Sequence, residues 1–407
     1  MKVVIAGIEG YLGWSLAVHL SDQGHEVAGF DSGLRHNLVI SAGSASGIPI
    51  SLASDRERAL LDNFDNRVLL RQLDLATDLG YYLLHDLLAW FQPDAIVHFA
   101  EMPSAPYSMI GREQAITTHS NNLNGTINMI YAIRDACPYA HLIKLGTMGE
   151  YGTPGVPIPE GVFPSESRWV DDAGCEYDIS GTNFPRKAGS WYHQTKVHGT
   201  HNVDFACRMW GLRATDIMQG VVYGTKIEAM EGDPRLNTRF DFDETFGTCI
   251  NRFCAQSVID HPLTVYGEGG QTRGYLPLRD SMRCVTLVIE NPPDEGHYRV
   301  FNQLARLHSV RDIAETVLAA ARRRGLEPQI QTYENPRIEE EQHEYDVATD
   351  GLREIGYEPS DDLPEDALAM IGDLIEHRDI IQQYISSIAP RTLWKHDRPR
   401  NLMRKVV

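Results

Sequence analysis

The chain has no apolar run long enough to cross a bilayer. Stretches such as KVVIAG and DAIVHFA fall far short of the roughly 20 apolar residues a membrane helix needs. No basic segment precedes the first of them, so neither an export signal nor a membrane partner is expected, and a cytoplasmic protein is. Cysteine is scarce: six residues (137, 175, 207, 249, 254 and 284), none in C-x-x-C spacing. Neither a disulfide framework nor a thiolate metal site is expected, and no metal is assigned. Positive charge is short as well. Lys and Arg total 37 against 56 Asp and Glu, for a net charge of −19, and only seven residues are lysine. Nucleic acid and anionic membranes need a concentrated basic face, so neither is expected as a partner, although a small anion could still bind at a local arginine cluster. What is present is 407 residues that are 42% hydrophobic and 23% charged, enough for a large buried core in one or two domains.

The first forty residues carry the clearest pattern. KVVIAG is strand-like, YLGWSLAVHLSDQG has apolar positions at helical spacing, and HEVAGFD is strand-like again, giving a β-α-β unit. Its turn reads Gly7-x-x-Gly10-x-x-Gly13, where glycine permits a tight turn and lets the backbone approach a pyrophosphate at a helix N-terminus. Asp31 closes the second strand, where a carboxylate can bond both ribose hydroxyls and repel a 2′-phosphate, so NAD is expected over NADP. VLLRQLDLAT sets Asp74 after a third strand, suitably for an adenine contact, and PDAIVHFAE is a fourth strand ending in small residues. Alternation continues through a helix over 112–136, a strand over 140–145, a helix over 188–210 and a strand over 212–217. The spacing predicts an α/β, Rossmann-type doubly wound parallel sheet. We divide the chain into a dinucleotide-binding domain over 1–220 and a smaller α/β substrate domain over 221–407, interleaved with the first.

The strand HLIKLGT ends at Thr147, and the helix after it contains Tyr192 and Lys196. At i and i+4 the two share one helix face, so the ammonium can approach both the phenol and a nicotinamide ribose. A nearby cation should draw the tyrosine pKa down from about 10 toward the range of a general base. His193 is a candidate proton carrier or anion partner because an ordinary imidazole titrates near neutrality. Glu150 is a further catalytic candidate, beside the tyrosine of EYG.

Together the glycines, Thr147 and Tyr192-x-x-x-Lys196 resemble the extended short-chain dehydrogenase/reductases that modify nucleotide sugars. More narrowly, SAPYSMI, KLGTMGEYGTP, WYHQTKVH, RATDIMQGVVYGTK, FGTCINRFC, HPLTVYGEGGQTRGYL and FNQ resemble the UDP-sulfoquinovose synthase family, from residue 1 to about 395. That resemblance implies UDP-glucose and sulfite as substrates, a bound NAD that is reduced and reoxidised through a 4-keto sugar, and a homodimer. For the cofactor it implies Tyr11, Leu12, Arg35, Leu75, Phe99, Ala100, Glu101, Asn122, Gln219 and Val222, beside the glycines, Asp31, Asp74 and Lys196. For the substrate it implies Pro103, Tyr107, Met148, Gln219, Thr264 and Gln271, with Arg273 and Arg337 on the diphosphate and Arg235 and Arg239 as further ligands. In related 4,6-dehydratases an Asp-Glu pair follows the threonine, and Met148 and Gly149 stand there instead.

The sequence also departs from the family pattern. Met102 and Pro103 replace Gln-Arg, Met218 replaces asparagine, and Pro277 replaces aspartate, which would make the sugar pocket less polar. A 4-epimerase or 5,6-dehydratase that does not use sulfite therefore stays open beside the synthase. A noncatalytic NAD-binding regulator is the third reading, disfavoured by Thr147, Tyr192 and Lys196 together. Of two long connections, the one over 33–65 is a candidate lid or oligomer contact, and the one over 225–245, which carries Arg235 and Arg239, lies near the substrate in the family the chain resembles; the tail after 376 carries no assigned role.

Overall fold

A computed structural model describes residues 1–337, 345–360, 362–388 and 394. Seven strands form its central sheet: β1 (Lys2–Ala6), β2 (Glu26–Asp31), β3 (Leu69–Gln72), β4 (Ala95–His98), β5 (His141–Thr147), β6 (Arg213–Gln219) and β7 (Tyr298–Gln303). They lie in the order β7-β6-β5-β4-β1-β2-β3, with every pairing parallel. A parallel sheet is covered by helices on both faces, which explains why β1 and β4 read as continuous apolar runs and are almost wholly buried. The order reverses between β1 and β4, and the crevice at their carboxyl ends is where ligands bind in such sheets. The expected doubly wound sheet is thus present.

Element boundaries shift modestly from expectation. The rod expected over 112–136 runs as helix Arg112–His119, a wide π turn over Ser120–Asn124, and helix Gly125–Ala136. Asn122 lies in that wide turn and bonds outward to Met102 and Thr195, a use of π turns common at functional sites. The helix expected over 188–210 starts at Trp191, because Ser190 caps it by accepting the N–H of His193.

A second apolar cluster, including Phe240, Phe253, Leu263, Val317 and Ile371, lies beyond the sheet. The chain returns from this half to supply β7 beside β6, so the halves interleave. The connection over 33–65 contains two helices, Leu34–Ser41 and Ala53–Phe64. It packs against the other long connection: Gly47 donates its N–H to Phe240 O (2.8 Å), and Asn63 Nδ2 donates to Asp233 Oδ2 (2.8 Å). Trp14, in the first helix, donates Nε1–H to Leu236 O (2.8 Å), which ties the same connection to the turn of the glycine motif.

The glycine turn leaves no room for side chains. A Cβ on Gly13 would lie 2.0 Å from Gly7 O, and one on Gly7 would lie 2.8 Å from the Phe99 carbonyl carbon. Gly13→Ala should therefore destabilise the fold by on the order of 1–3 kcal/mol in equilibrium denaturation. Gly189→Ala, whose Cβ would meet nothing within 4 Å, should stay within about 0.5 kcal/mol of the parent.

Candidate active site

The first helix (Tyr11–Asp22) begins at Gly10 with no side-chain cap and no acid in its first turn. Its leading N–H groups are therefore open to an anion, the arrangement that suits a dinucleotide pyrophosphate. Gly7 brings the backbone against Phe99 and Ala100 at the end of β4. Asp31 accepts N–H bonds from Gly33 (2.8 Å) and Glu9 (3.2 Å), which fix its carboxylate at the end of β2. Burial nonetheless raises its pKa, with those bonds and the charges of Arg239 and Arg35 opposing. These residues fit the adenosine and pyrophosphate half of NAD. Leu75 and Val222 are buried in the framework, and Leu12 packs partly buried against the core. Asp74 uses its carboxylate to accept the N–H of Ala76 (3.0 Å), and Tyr11 donates its hydroxyl to Gly224 O (2.8 Å).

At the other end of the crevice, Thr147, Tyr192, His193 and Lys196 come together. Thr147 Oγ1 accepts the N–H of Gly149 (3.2 Å). Tyr192 donates its backbone N–H to Ser108 Oγ (3.0 Å), and the Lys196 ammonium lies 5.8 Å from the Tyr192 ring centroid. Lys196 also donates to Leu145 O (2.6 Å), which holds the helix to β5 just before Thr147, and it forms a buried ion pair with Glu101.

Burial and that ion pair together overturn the expectation for the tyrosine. Burial first, and then Glu101, raises the Tyr192 phenol above its ordinary pKa, while Lys144 pulls the other way. With Glu101 beside it, the Lys196 charge is matched before it can act on the phenol. Burial alone would raise Glu101 too, but Lys196, Lys144 and His98 overcome it and hold the carboxyl below the usual range. Glu101 thus turns toward the lysine, although its Oε1 is buried without a hydrogen-bond partner among the described residues.

The histidine expectation changes as well. Gly149 makes room for His193, since a Cβ there would meet its Nε2 at 2.4 Å, and Ser190 Oγ lies 3.0 Å from Nδ1. Burial, then Arg337, Arg273 and Lys196, push the imidazole down to about 3 rather than leaving it near neutrality. Arg337 and Arg273, from the far half of the chain, thus lie within electrostatic reach of the imidazole. Tyr345 joins them, donating its hydroxyl to Gly152 O (2.8 Å) beyond β5. Ser108, Ser190 and Tyr345 were missed in the sequence, and Gly149 was noted only as a departure from the dehydratase pattern. Of these only Ser190 carried a readable signal, as a serine opening a helix.

Several candidates lie elsewhere or serve the framework. Glu150 is fully buried in a second charge cluster: it pairs with Arg186 (3.4 Å) and Lys144 (3.8 Å) and accepts from Thr200 (3.1 Å), so it faces structure and not the crevice. Arg235 pairs with Asp233 (2.6 Å) and Asp62 (3.0 Å), and Arg239 with Asp241 (3.0 Å), so both guanidiniums are engaged by carboxylates of the chain, Arg239 within electrostatic reach of Asp31. Thr264 is wholly buried and bonded through both its hydroxyl and its N–H to Gln256. Gln219 commits its amide to Ser281 (2.8 Å) and Gln303 (2.6 Å), and Asn122 to Met102 and Thr195. Gln271 donates to Tyr266 O (3.2 Å) while its Oε1 is buried without a partner among the described residues. Residues 338–344 of the Arg337 stretch, and 389–393 and 395–407 of the tail, lie outside the described residues.

The methionine departures do not line a cleft. A side chain that lines a cleft keeps accessible surface in the chain by itself, yet Met102 keeps 1% and Met218 none. Met102 packs with Val39, Tyr107 and Phe246, and Met218 with Met148 and Tyr151. Pro103 is exposed, and Pro277 ends a strand and opens the helix Leu278–Glu290. Thr147, Tyr192, His193, Arg273 and Arg337 keep partial exposure.

A model of the NAD dependent epimerase/dehydratase family matches residues 3–302. The UDP-sulfoquinovose synthase of Sulfolobus acidocaldarius is 42% identical over 97% of this chain and 98% of its own. The chloroplastic UDP-sulfoquinovose synthase of Spinacia oleracea is 40% identical over 97% of this chain and 79% of its own. Among solved structures, the UDP-glucuronic acid 4-epimerase of Bacillus cereus in complex with UDP-glucuronic acid and NAD superposes with a TM-score of 0.66 at 18% identity, over 92% of this chain and 99% of that one. The chain belongs to the NAD-dependent epimerase/dehydratase family, in its UDP-sulfoquinovose synthase branch, and is an NAD-dependent enzyme of the nucleotide-sugar-modifying kind.

His193, His98 and His141 are pushed down to about 3, 4 and 3, each chiefly by burial. A histidine whose folded pKa is depressed binds its proton more readily when unfolded, so its cost appears as pH falls below about 6.5 and grows until the folded pKa is reached. Thermal stability should therefore fall on acidification from pH 6.5 to 4, by up to about 1.4 kcal/mol per pH unit for each such histidine. His193→Asn should reduce the slope; an unchanged Tm between pH 6.5 and 4 would refute the assignment.

Proposed function

We propose that the protein converts UDP-glucose and sulfite into UDP-sulfoquinovose. The observation that carries this reading is the near end-to-end identity, 42% and 40%, with synthases of an archaeon and a plant. The burial of Met102 and Met218 supports it further, because these departures then change packing behind the site and not the groups that meet the sugar.

Each accessible residue has a task in this reaction. Tyr192 takes the C4 hydroxyl proton as a phenolate, its own phenol proton having left to solvent once bound ligands change the local charge balance, and Thr147 fixes the C4 oxygen with its hydroxyl. NAD, which the glycine turn, Asp31 and Lys196 would hold, would supply a reversible hydride acceptor for C4. Once C4 is a ketone, the C5 hydrogen is acidic; its loss as a proton with departure of the C6 hydroxyl as water leaves a 5-ene. Sulfite adds through sulfur at C6, C5 regains a proton, and restoring the C4–H bond completes the sugar. Arg273 and Arg337 bind the diphosphate, and a guanidinium suits this because its donors match two phosphate oxygens. His193 is the residue we assign to the C5 proton. A dianionic diphosphate beside Arg273 and Arg337 offsets the charges that depress the imidazole, and so restores part of its basicity.

The test is mass spectrometry of products from UDP-glucose with and without sulfite. A sulfonated nucleotide sugar that appears only with sulfite is expected. UDP-galactose or a dehydrated sugar without sulfonate would favour the epimerase or 5,6-dehydratase reading, and NAD binding with no turnover would favour the regulator. Tyr192→Phe should lower NADH formation by on the order of 10²–10⁴ while leaving NAD bound.

We also infer a homodimer in a reducing cytoplasm. The six cysteines are free, four of them buried. Trp191, Phe205 and Met209 recur on one face of helix Trp191–Trp210, with Ile127 and Tyr131 exposed on the neighbouring helix. Two such apolar faces can cover each other about a two-fold axis. Light scattering should give a dimer, and Phe205→Glu with Met209→Glu should give a monomer; a monomeric parent would refute this.

A further inference from the structure

Two arginines, Arg35 and Arg239, stand at the adenosine end among the carboxylates of Asp31, Asp241 and Asp243. Arg35 follows β2, and its Nη2 donates to Asp241 Oδ2 (2.5 Å). Arg239 donates to Asp241 Oδ1 through Nη2 (3.0 Å) and Nε (3.3 Å). Thr238, next to Arg239, donates its hydroxyl to Tyr11 O (2.9 Å) at the start of the first helix, and both guanidiniums lie within electrostatic reach of Asp31. The cluster is built into the fold: the Arg239 and Asp241 side chains keep 4% and 3% of their surface, while Arg35 keeps 23% and stands over the Phe246 ring. Arg35 Nε is buried without a hydrogen-bond partner among the described residues.

Two arginines beside a ribose-binding carboxylate are the groups that would recognise a 2′-phosphate, as an arginine does in NADP-binding relatives of this fold. We propose that Asp241, supplied by the connection over 225–245, is a specificity-determining residue for the dinucleotide: it occupies Arg35 and Arg239 in ion pairs and so withholds both guanidiniums from a 2′-phosphate. Asp31 then repels the phosphate directly, and Asp241 removes what would attract it. The inference rests on NAD being the cofactor, and it gives the 225–245 connection a task at the cofactor, closing over the segment 33–65.

The test is calorimetric titration of NAD and NADP into protein stripped of nucleotide. The parent should bind NAD and discriminate strongly against NADP. Asp31→Ser should lose NAD affinity and gain NADP affinity by less than about threefold, because Arg35 and Arg239 remain paired. Adding Asp241→Asn, which preserves shape, should raise NADP affinity by a further factor of about 10–100, the scale of a charge-assisted phosphate contact, and Arg35→Ala in that background should remove most of the gain. A double variant no better than Asp31→Ser, with its fold retained by circular dichroism, would overturn the proposal, as would a large gain from Asp31→Ser alone. If Asp241→Asn does not fold, Asp31→Ser is compared with Asp31→Ser/Arg35→Ala. Equal NADP binding is then expected, and a loss on removing Arg35 would reveal an available guanidinium and overturn it. A parent that binds neither nucleotide would instead sink the cofactor reading, and the proposal with it.

Discussion

The site depends on a buried ammonium. Lys196 is 3% exposed, at the foot of the helix that carries Tyr192, and an isolated charge at such depth is strongly unfavourable. Glu101 supplies the countercharge from the end of β4, and Leu145 O supplies a second acceptor from β5. The pair therefore fixes the helix against two strands at once, at the edge where the cofactor's reactive half must pass. Removing one member of a buried pair typically costs about 3–5 kcal/mol, because the other is left uncompensated, so neither residue can vary alone.

A second charge cluster lies behind the first. Lys144 sits between Asp216 (3.2 Å) and Glu150 (3.8 Å), Thr200 bridges both carboxylates, and Tyr298 donates to Asp216 (3.0 Å). These groups come from β5, β6, β7, the turn after β5 and the helix Trp191–Trp210, so the cluster joins the supports of the first pair. Its consequence for chemistry is electrostatic: burial first and then Glu101 raise the Tyr192 phenol, Lys144 opposes them, and the phenol stays protonated until the local charge balance changes. Ligand binding is the event that can change it.

The sequence made the sheet legible, because a parallel sheet must be apolar throughout and its strands stand out between amphipathic helices. The glycine turn and Tyr192-x-x-x-Lys196 were legible for a similar reason: their geometry is local, set by one turn or one helix face. What escaped was non-local. The spacing of Tyr192 and Lys196 correctly put the ammonium near the phenol, but not Glu101, 95 residues earlier, which redirects the charge. The imidazole of His193 was visible, while the burial and the arginines that depress it come from packing and from Arg273 and Arg337. Glu150 and Thr264 had the right chemistry in the right neighbourhood, but their side chains turn into the framework, and no periodicity in a loop or short strand decides that.

The departures from the family pattern illustrate the same limit with the opposite sign. Read as letters, Met102 and Met218 remove polar groups from a sugar pocket. Read in space, each fills a cluster, Met102 between the segment 33–65 and Phe246, Met218 beneath Met148 and Tyr151. A flexible thioether suits such irregular gaps. Because Val39 and Phe246 come from the two long connections, Met102 belongs to the packing that brings these together beside Arg35 and Asp241. The substitution is then coupled to the packing of the two long connections, and on the proposed reading the polar groups that meet the sugar nucleotide are Thr147, Tyr192, His193, Arg273 and Arg337, which are all still present.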